Sequence, residues 1–144
     1  MSLRGLVLLA GLLTLAGCAT NPAARPRAGH RIVVEVSADN PKVWEAVMNN
    51  VENLETSFGA SGTSIEVVGL GGGLSMLLST DNAQAERLQR LSAGGVVFAA
   101  CQNTMRKKKV SRADLLPFVT TVDSGVAEVV RKQEQGWSYI KSGF

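Results

Sequence analysis

The feature that most constrains the fold is an alternation of short β-branched runs with segments of helical periodicity. Asn40 and Pro41 supply a helix cap and a first-turn proline. The apolar residues that follow recur at three- and four-residue steps and predict one buried stripe: Trp44, Val47, Met48, Val51, Leu54 and Phe58. Strands are predicted at residues 31–36, 64–68, 96–100, 118–122 and 137–141. Strands joined by helices need right-handed crossovers, which predicts a mostly parallel sheet between helical layers.

Three further helices complete this prediction. One runs from about Thr80 to Ser92, and a short one begins at the Ser111–Asp114 capping box. The last begins after Asp123 or Ser124 and is expected to bury three valines: Val126, Val129 and Val130. The third strand is apolar throughout, which is typical of a strand covered on both faces, and the fifth is expected at an edge. A chain of 144 residues has room for one such domain, a three-layer α/β/α fold with a five-stranded sheet over residues 31–144.

The N-terminus has the pattern of an export signal. Arg4 precedes an apolar run over residues 5–15, which is too short to cross a bilayer comfortably. The run ends in Leu15-Ala16-Gly17-Cys18, which looks like the lipobox of bacterial lipoproteins. We therefore expect residues 1–17 to be a signal peptide, Cys18 to be lipidated, and residues 18–30 to be a tether that ends at His30. The predicted location is the periplasmic side of the cell envelope, and Ala19 after the cysteine favours the outer membrane over the inner one.

The charge of the chain excludes one class of partner. Fifteen basic and twelve acidic residues give a net charge of +3, but the excess comes from Arg4, Arg25 and Arg27, so the domain from Arg31 onward is neutral. No nucleic-acid partner is therefore predicted. The single histidine, His30, argues against histidine-based metal sites and a Ser-His-Asp triad within the domain. We predict no metal and no cofactor.

Three features converge on the carboxyl edge of the predicted sheet, where open α/β sheets bind ligands. They are the glycine turn at residues 69–73, Cys101 after the third strand, and a basic loop that begins at Arg106 and includes Lys107. A lipidated Cys18 leaves Cys101 without an intramolecular partner, and the cations would favour its thiolate. The other interpretation is a small buried hydrophobic residue. The glycine turn departs from the dinucleotide pattern at Leu74, so it is either an anion-binding backbone or a tight turn.

Three segments together resemble the DsrE/DsrF-like sulfur-relay family, in an exported lipoprotein member. The resemblance covers about residues 31–141 and is carried by residues 49–54 (NNVENL), 71–74 (GGGL) and 95–105 (GVVFAACQNTM), with a similar tail at residues 124–141. It implies a three-layer α/β/α domain that assembles into trimers or hexamers. It also implies that Cys101 carries sulfane sulfur as a persulfide, with Gly71, Gly72, Gly73 and Asn103 shaping its pocket.

Two hypotheses about function remain open. In the first, a periplasmic, lipid-anchored protein binds or relays sulfane sulfur through Cys101, and Arg106 and Lys107 stabilise the anions. Its sulfur donor and acceptor are not identified by the sequence, and its membrane contact is the N-terminal lipid. In the second, a non-catalytic homo-oligomer binds a small anion or a partner protein while Cys101 is structural. A disulfide oxidoreductase is disfavoured because the chain has no C-x-x-C pair.

Overall fold

The computed structural model describes residues 29–142 and contains one five-stranded sheet. The predicted signal peptide, the lipidation site at Cys18 and most of the tether lie outside the described residues. All strand pairings are parallel, and the order is β4-β3-β2-β1-β5. The strands are β1 (His30–Val36), β2 (Thr63–Gly69), β3 (Val97–Cys101), β4 (Thr120–Val122) and β5 (Ser138–Ser142). The sheet is therefore fully parallel, with β5 at an edge as predicted.

Four α-helices and three short 3₁₀ segments connect the strands. The helices are α1 (Pro41–Phe58), α2 (Ala85–Ala93), α3 (Gln102–Lys108) and α4 (Gly125–Glu134). The 3₁₀ segments are Ala60–Gly62, Gly71–Leu77 and Arg112–Asp114. Asn40 caps α1 by accepting a hydrogen bond from the Lys42 amide at 3.0 Å, and Ser124 caps α4 through the Ala127 amide. Both helices thus begin where the sequence predicts.

The sheet separates two unequal cores and confirms the three-layer α/β/α fold. On one side, which we call the three-helix face, α1, α2 and α3 bury a large cluster that includes Val34, Met48 and Phe98. On the other side, the α4 face, Val33, Val68 and Ala99 pack against Val129. An ion pair between half-buried Lys132 and buried Glu66 also connects α4 to β2. The Lys132 ammonium lies 4.3 Å from the centroid of the Trp137 ring.

Several expectations about individual elements are wrong. Helix α2 starts at Ala85 rather than near Thr80, because the Asn82 side chain holds a turn by bonding the Met76 and Leu78 carbonyls. The segment after β3, expected to be a basic loop, begins as helix α3. His30 belongs to β1 and stacks on Phe58, which is exposed rather than buried.

The α4 face is also less covered than predicted. Of the three valines expected inward on α4, only Val129 is buried, while Val126 is 62% and Val130 is 47% exposed. Val97 in β3 is 42% exposed, so the third strand is not covered along its whole length on both sides. The reason is that α4 is the only helix in the described part of the chain that packs on this side of the sheet. None of the described helices is both long and apolar enough for a membrane span.

Candidate active site

Cys101 lies at the carboxyl edge of the sheet, where β3 passes directly into α3. It is the last residue of β3 and the N-cap of α3, with extended backbone angles of φ −71° and ψ 113°. Its thiol is free and the residue is only 4% exposed. Its side chain belongs to the α4 face, because its Cβ lies 3.1 Å from the position that a Cβ on Gly125 would occupy.

Polar groups surround the Cys101 sulfur despite its burial. Burial alone would raise the pKa of the thiol, because it disfavours the charged form. The Thr104 hydroxyl and the backbone amides of Gly125, Thr104 and Asn103 favour the charged form, and together they outweigh burial and lower the pKa of the thiol below its ordinary value. The thiolate is thus favoured by oriented amides at the starts of α3 and α4.

Thr104 connects the sulfur to the glycine turn. Its hydroxyl oxygen accepts a hydrogen bond from the Gly71 amide at 3.0 Å, which leaves the hydroxyl proton free to point at Cys101. The turn after β2 and the start of α3 are therefore joined at the sulfur. The sequence predicted that the turn and Cys101 lie at the same edge of the sheet, and in the structure Gly71 is the residue of the turn that connects to Cys101, through Thr104.

Two glycines of the site lie where a Cβ would crowd neighbouring atoms. A Cβ on Gly73 would lie 1.9 Å from the Val36 carbonyl oxygen, because the turn crosses directly over the end of β1. A Cβ on Gly125 would lie 3.0 Å from the Leu70 Cβ and 3.1 Å from the Cys101 Cβ. A side chain on Gly125 would therefore crowd both neighbours, and the glycine lets the start of α4 lie close to the Cys101 side chain.

The comparisons with known proteins agree with this architecture. Residues 37–142 match the model of the DsrE/DsrF-like family, which is well over half of the chain. The chain belongs to the DsrE/DsrF-like family. MTH1491, a protein of unknown function from Methanobacterium thermoautotrophicum, is 34% identical, with a TM-score of 0.74 and coverage of 78% of this chain and 98% of that one. No curated protein matches.

Two more distant structures share the fold of this DsrE/DsrF-like domain. BT1422 of Bacteroides thetaiotaomicron is 12% identical at a TM-score of 0.60, and the alignment covers 77% of this chain and 93% of that one. The ychN protein of E. coli is 11% identical at a TM-score of 0.61, with coverage of 78% and 98%. At these identities the likeness establishes the fold alone.

The basic residues of this DsrE/DsrF-like chain lie away from the sulfur. Arg106, Lys107 and Lys108 occupy the last turn of α3, whereas Cys101 caps its first turn. Seven helical residues span about 10 Å, and cations at a helix C-terminus complement its dipole. None of the groups that shift the pKa of Cys101 is a cation. The expectation that the basic run favours the thiolate is therefore corrected, and hydrogen-bond donors take that role.

The predicted binding residues differ in what they contact. Gly71 and Asn103 contact the site through their backbone amides, and Arg106 reaches it only indirectly by donating a hydrogen bond to the Asn103 side chain. Gly72 packs against the loop after β1, since a Cβ there would lie 2.6 Å from the Asp39 nitrogen. Lys107 is exposed. Within residues 29–142 no cluster of histidine, cysteine and carboxylate groups is arranged to hold a metal.

Thr104 and Gly125 are the two residues that sequence reasoning missed. Thr104 had a usable signal, because a threonine three residues after a helix-capping cysteine is placed to reach back to that cap. Gly125 had no such signal, since it meets the sulfur only through the packing of α4 on the sheet. The completed site is a nearly buried thiol in a cradle of amide donors, and it can stabilise a sulfur anion.

Proposed function

We propose that the protein accepts sulfane sulfur on Cys101 as a persulfide and passes it to an acceptor thiol. The observation that carries the proposal is the set of donors around the sulfur: the Thr104 hydroxyl and the amides of Asn103, Thr104 and Gly125. A thiolate is the nucleophile in sulfur exchange, so a site that lowers the pKa of the thiol prepares it for attack. Membership of the DsrE/DsrF-like family supports the same chemistry.

The proposed reaction balances without an external oxidant. The Cys101 thiolate attacks the outer sulfur of a donor persulfide, R–S–SH, and forms a new sulfur–sulfur bond. The bond between the two donor sulfurs breaks, and its electron pair leaves with the donor as R–S⁻. Cys101 is thereby oxidised to Cys–S–SH while the donor sulfur is reduced to a thiolate. An acceptor thiolate then attacks the outer sulfur of Cys101 and returns it to the thiolate form.

The setting we propose for this chemistry is the cell envelope. The lipobox-like sequence at residues 15–18 supports a lipid anchor on Cys18, with the domain on the periplasmic side and the outer membrane favoured over the inner one. We further propose that the protein is a homo-oligomer, a trimer or a hexamer. The exposed Val97, Val126 and Val130 on the α4 face support an assembly, because a second copy would cover them.

One observation favours the second hypothesis, a non-catalytic module that binds a small anion or a partner protein. Cys101 is only 4% exposed, as expected of a thiol that serves as a small hydrophobic residue. The two hypotheses differ in whether the sulfur reacts within the folded protein. Slow alkylation at the rate of unfolding, together with a thiol pKa at or above its ordinary value, would favour the structural role.

The test is sulfur uptake from polysulfide, with intact-mass spectrometry as the readout. The wild-type protein should gain the mass of sulfur atoms that are released by dithiothreitol, and Cys101→Ser should gain none. Thr120→Ser is a matched control, because it changes an exposed side chain on the neighbouring strand and should load like wild type. Equal loading of wild type and Cys101→Ser would refute the persulfide proposal.

A further inference from the structure

A pocket lies on the three-helix face, on the other side of β3 from the Cys101 sulfur. Its volume is about 340 Å³, at the lower end of the range for small-molecule sites. Gln102 and Thr121 line it, and the Gln102 amide donates to the Thr121 hydroxyl at 3.0 Å. Gln102 directly follows Cys101, whose side chain packs against Gly125 of α4. The two neighbouring side chains therefore belong to separate sites.

Two arginines line this pocket, and no ion pair among residues 29–142 neutralises them. Residues 106–112 contain five cations, and the first acidic residue after them is Asp114. The Asp114 carboxylate already accepts hydrogen bonds from the amide and the hydroxyl of Ser111, at 2.7 and 2.6 Å. Among residues 29–142, no ion pair involves any cation of this segment. The positive charge of Arg106 and Arg112, which both line the pocket, is thus available to a ligand.

Neutral acceptors hold the two arginines in place. Arg112 donates to the carbonyl oxygens of Leu116 and Pro117, at 3.4 and 3.0 Å, and Arg106 donates to the Asn103 side chain. Each guanidinium has more N–H groups than these bonds use, and its planar fork matches an oxyanion. Met105 and Val110 also line the pocket and give it an apolar portion.

We propose that this pocket binds a small ligand carrying a tetrahedral oxyanion of the phosphate or sulfate type. Arg106 and Arg112 bind the oxyanion through charge-assisted hydrogen bonds, Gln102 and Thr121 offer further polar contacts, and Met105 and Val110 contact a small apolar remainder of the ligand. The site is distinct from the thiol site and does not depend on the sulfur chemistry proposed for Cys101.

The test is isothermal titration calorimetry with inorganic phosphate and with sulfate, at an ionic strength held constant with chloride. Wild type should bind, and Arg106→Gln should weaken the affinity at least about tenfold, as expected for the loss of a charge-assisted hydrogen bond. Lys108→Gln is the matched control, since it removes the same charge from the same helix at an exposed position that does not line the pocket. It should change the affinity less than about twofold, because salt screens a charge that does not contact the ligand.

Further variants separate the possible outcomes. Arg112→Gln should also weaken phosphate binding, with its thermal midpoint measured because the substitution removes two hydrogen bonds to carbonyls. Cys101→Ser should bind phosphate as wild type does, so a failure of the persulfide proposal leaves this result intact. No heat from either anion, or equal weakening by Arg106→Gln and Lys108→Gln, overturns the proposal.

The headgroup of an anionic phospholipid carries the same kind of oxyanion as free phosphate. Vesicles of phosphatidylglycerol in phosphatidylcholine are the probe, with pure phosphatidylcholine as the blank. Vesicle binding that Arg106→Gln weakens more than Lys108→Gln supports the pocket, with a lipid headgroup as the oxyanion. Vesicle binding that both variants weaken equally, without binding of free phosphate, identifies a diffuse membrane-facing charge and refutes the pocket.

Discussion

Thr104 joins two segments that are 33 residues apart, because its hydroxyl acts as both acceptor and donor. The hydroxyl oxygen accepts from the Gly71 amide, and the hydroxyl proton is free to donate to Cys101, whose pKa it lowers. The hydrogen bond from the Gly71 amide restricts the rotation of the Thr104 hydroxyl, which helps to orient the hydroxyl as a donor. The site therefore favours the thiolate without a nearby histidine or lysine.

Thr104→Val should raise the pKa of Cys101 and slow its reaction at neutral pH. The variant retains the shape of the side chain but removes the donor, and loss of one charge-assisted hydrogen bond corresponds to roughly a tenfold slower alkylation. The measurement is the pH profile of the rate with iodoacetamide. Thr121→Val removes a hydroxyl of β4 that lies on the three-helix face, and it should leave the profile unchanged. Matching profiles for Thr104→Val and wild type would contradict the role assigned to Thr104.

The interaction between the Thr104 hydroxyl and Cys101 also affects how the stability of the fold depends on pH. A lowered pKa in the folded state means that the thiolate stabilises the fold at pH values above the unfolded thiol pKa. This contribution is lost as the pH falls through the folded-state pKa. The loss of stability in Thr104→Val should therefore be larger in alkaline solution than in acid, as measured by urea unfolding at both pH values.

Tyr139 offers a titration that can be assigned without ambiguity, because it is the only tyrosine in the chain. Its hydroxyl donates to Glu35 across the β1–β5 pair at 2.6 Å, and this bond, with burial and the carboxylate charge, raises the pKa of Tyr139 to about 12. Tyrosinate absorbance should show that midpoint. Glu35→Gln should lower it toward the ordinary value, while Glu134→Gln, at an exposed site on α4, should not. A wild-type midpoint near the ordinary value would show that the pair does not form.

The raised pKa of Tyr139 also predicts how the stability of the fold changes as the solution becomes alkaline. Because the folded state holds the proton more tightly than the unfolded state, the contribution of the pair is present below the unfolded pKa. It disappears as the pH rises through the folded value of about 12. Tyr139 is 39% exposed, so we expect the contribution of the pair to be small.

The glycine turn and the end of β1 form the tightest backbone contact at the site. The Leu70 amide donates to the Val36 carbonyl at 3.0 Å, and Gly73 passes so close to this carbonyl that a Cβ would lie 1.9 Å from its oxygen. The 3₁₀ segment that begins at Gly71 is therefore fixed against the sheet. This contact holds the Gly71 amide in reach of Thr104.

Gly73→Ala should lower the free energy of unfolding by about 3 kcal/mol or more, since backbone rather than a flexible side chain must move. Gly62→Ala is the control, because nothing lies within 4 Å of a Cβ there. That variant should be neutral or stabilising by up to about 1 kcal/mol through the unfolded state. The measurement is urea unfolding, and a Gly73→Ala midpoint equal to that of Gly62→Ala would contradict the close approach.

Helices with strong local signals were predictable from the sequence, and short ones were not. The caps and apolar period of α1 place it correctly, and the Ser111–Asp114 capping box forms as expected. Helix α3 was missed because it has only seven residues and buries a single one, Met105, so its cations resemble a solvated loop. In the same way, Cys101 could be placed at the edge of the sheet, but the Gly125 amide reaches it only through tertiary packing.

The whole molecule is asymmetric about its sheet. Three helices cover one side, while α4 covers the other, and the strands β3 and β4 are left partly open there. Val126 and Val130 lie one turn apart on α4 and are 62% and 47% exposed, and Val97 is 42% exposed on the same side of the sheet. Helical periodicity alone favours burying such valines, but burial needs a surface to pack on. Residues 29–142 of one copy do not provide that surface.

A second copy supplies that surface in the assembly we propose, so the oligomer should depend on the valines of α4. Wild type should sediment as a trimer or hexamer, and Val126→Asp with Val130→Asp should shift it to the monomer, because each charge would have to be buried without a partner. Gln133→Asp places the same charge at an exposed position of α4 and should leave the assembly intact. Unchanged sedimentation of the double variant would place the interface elsewhere, and a wild-type monomer across the concentration range would refute the assembly itself.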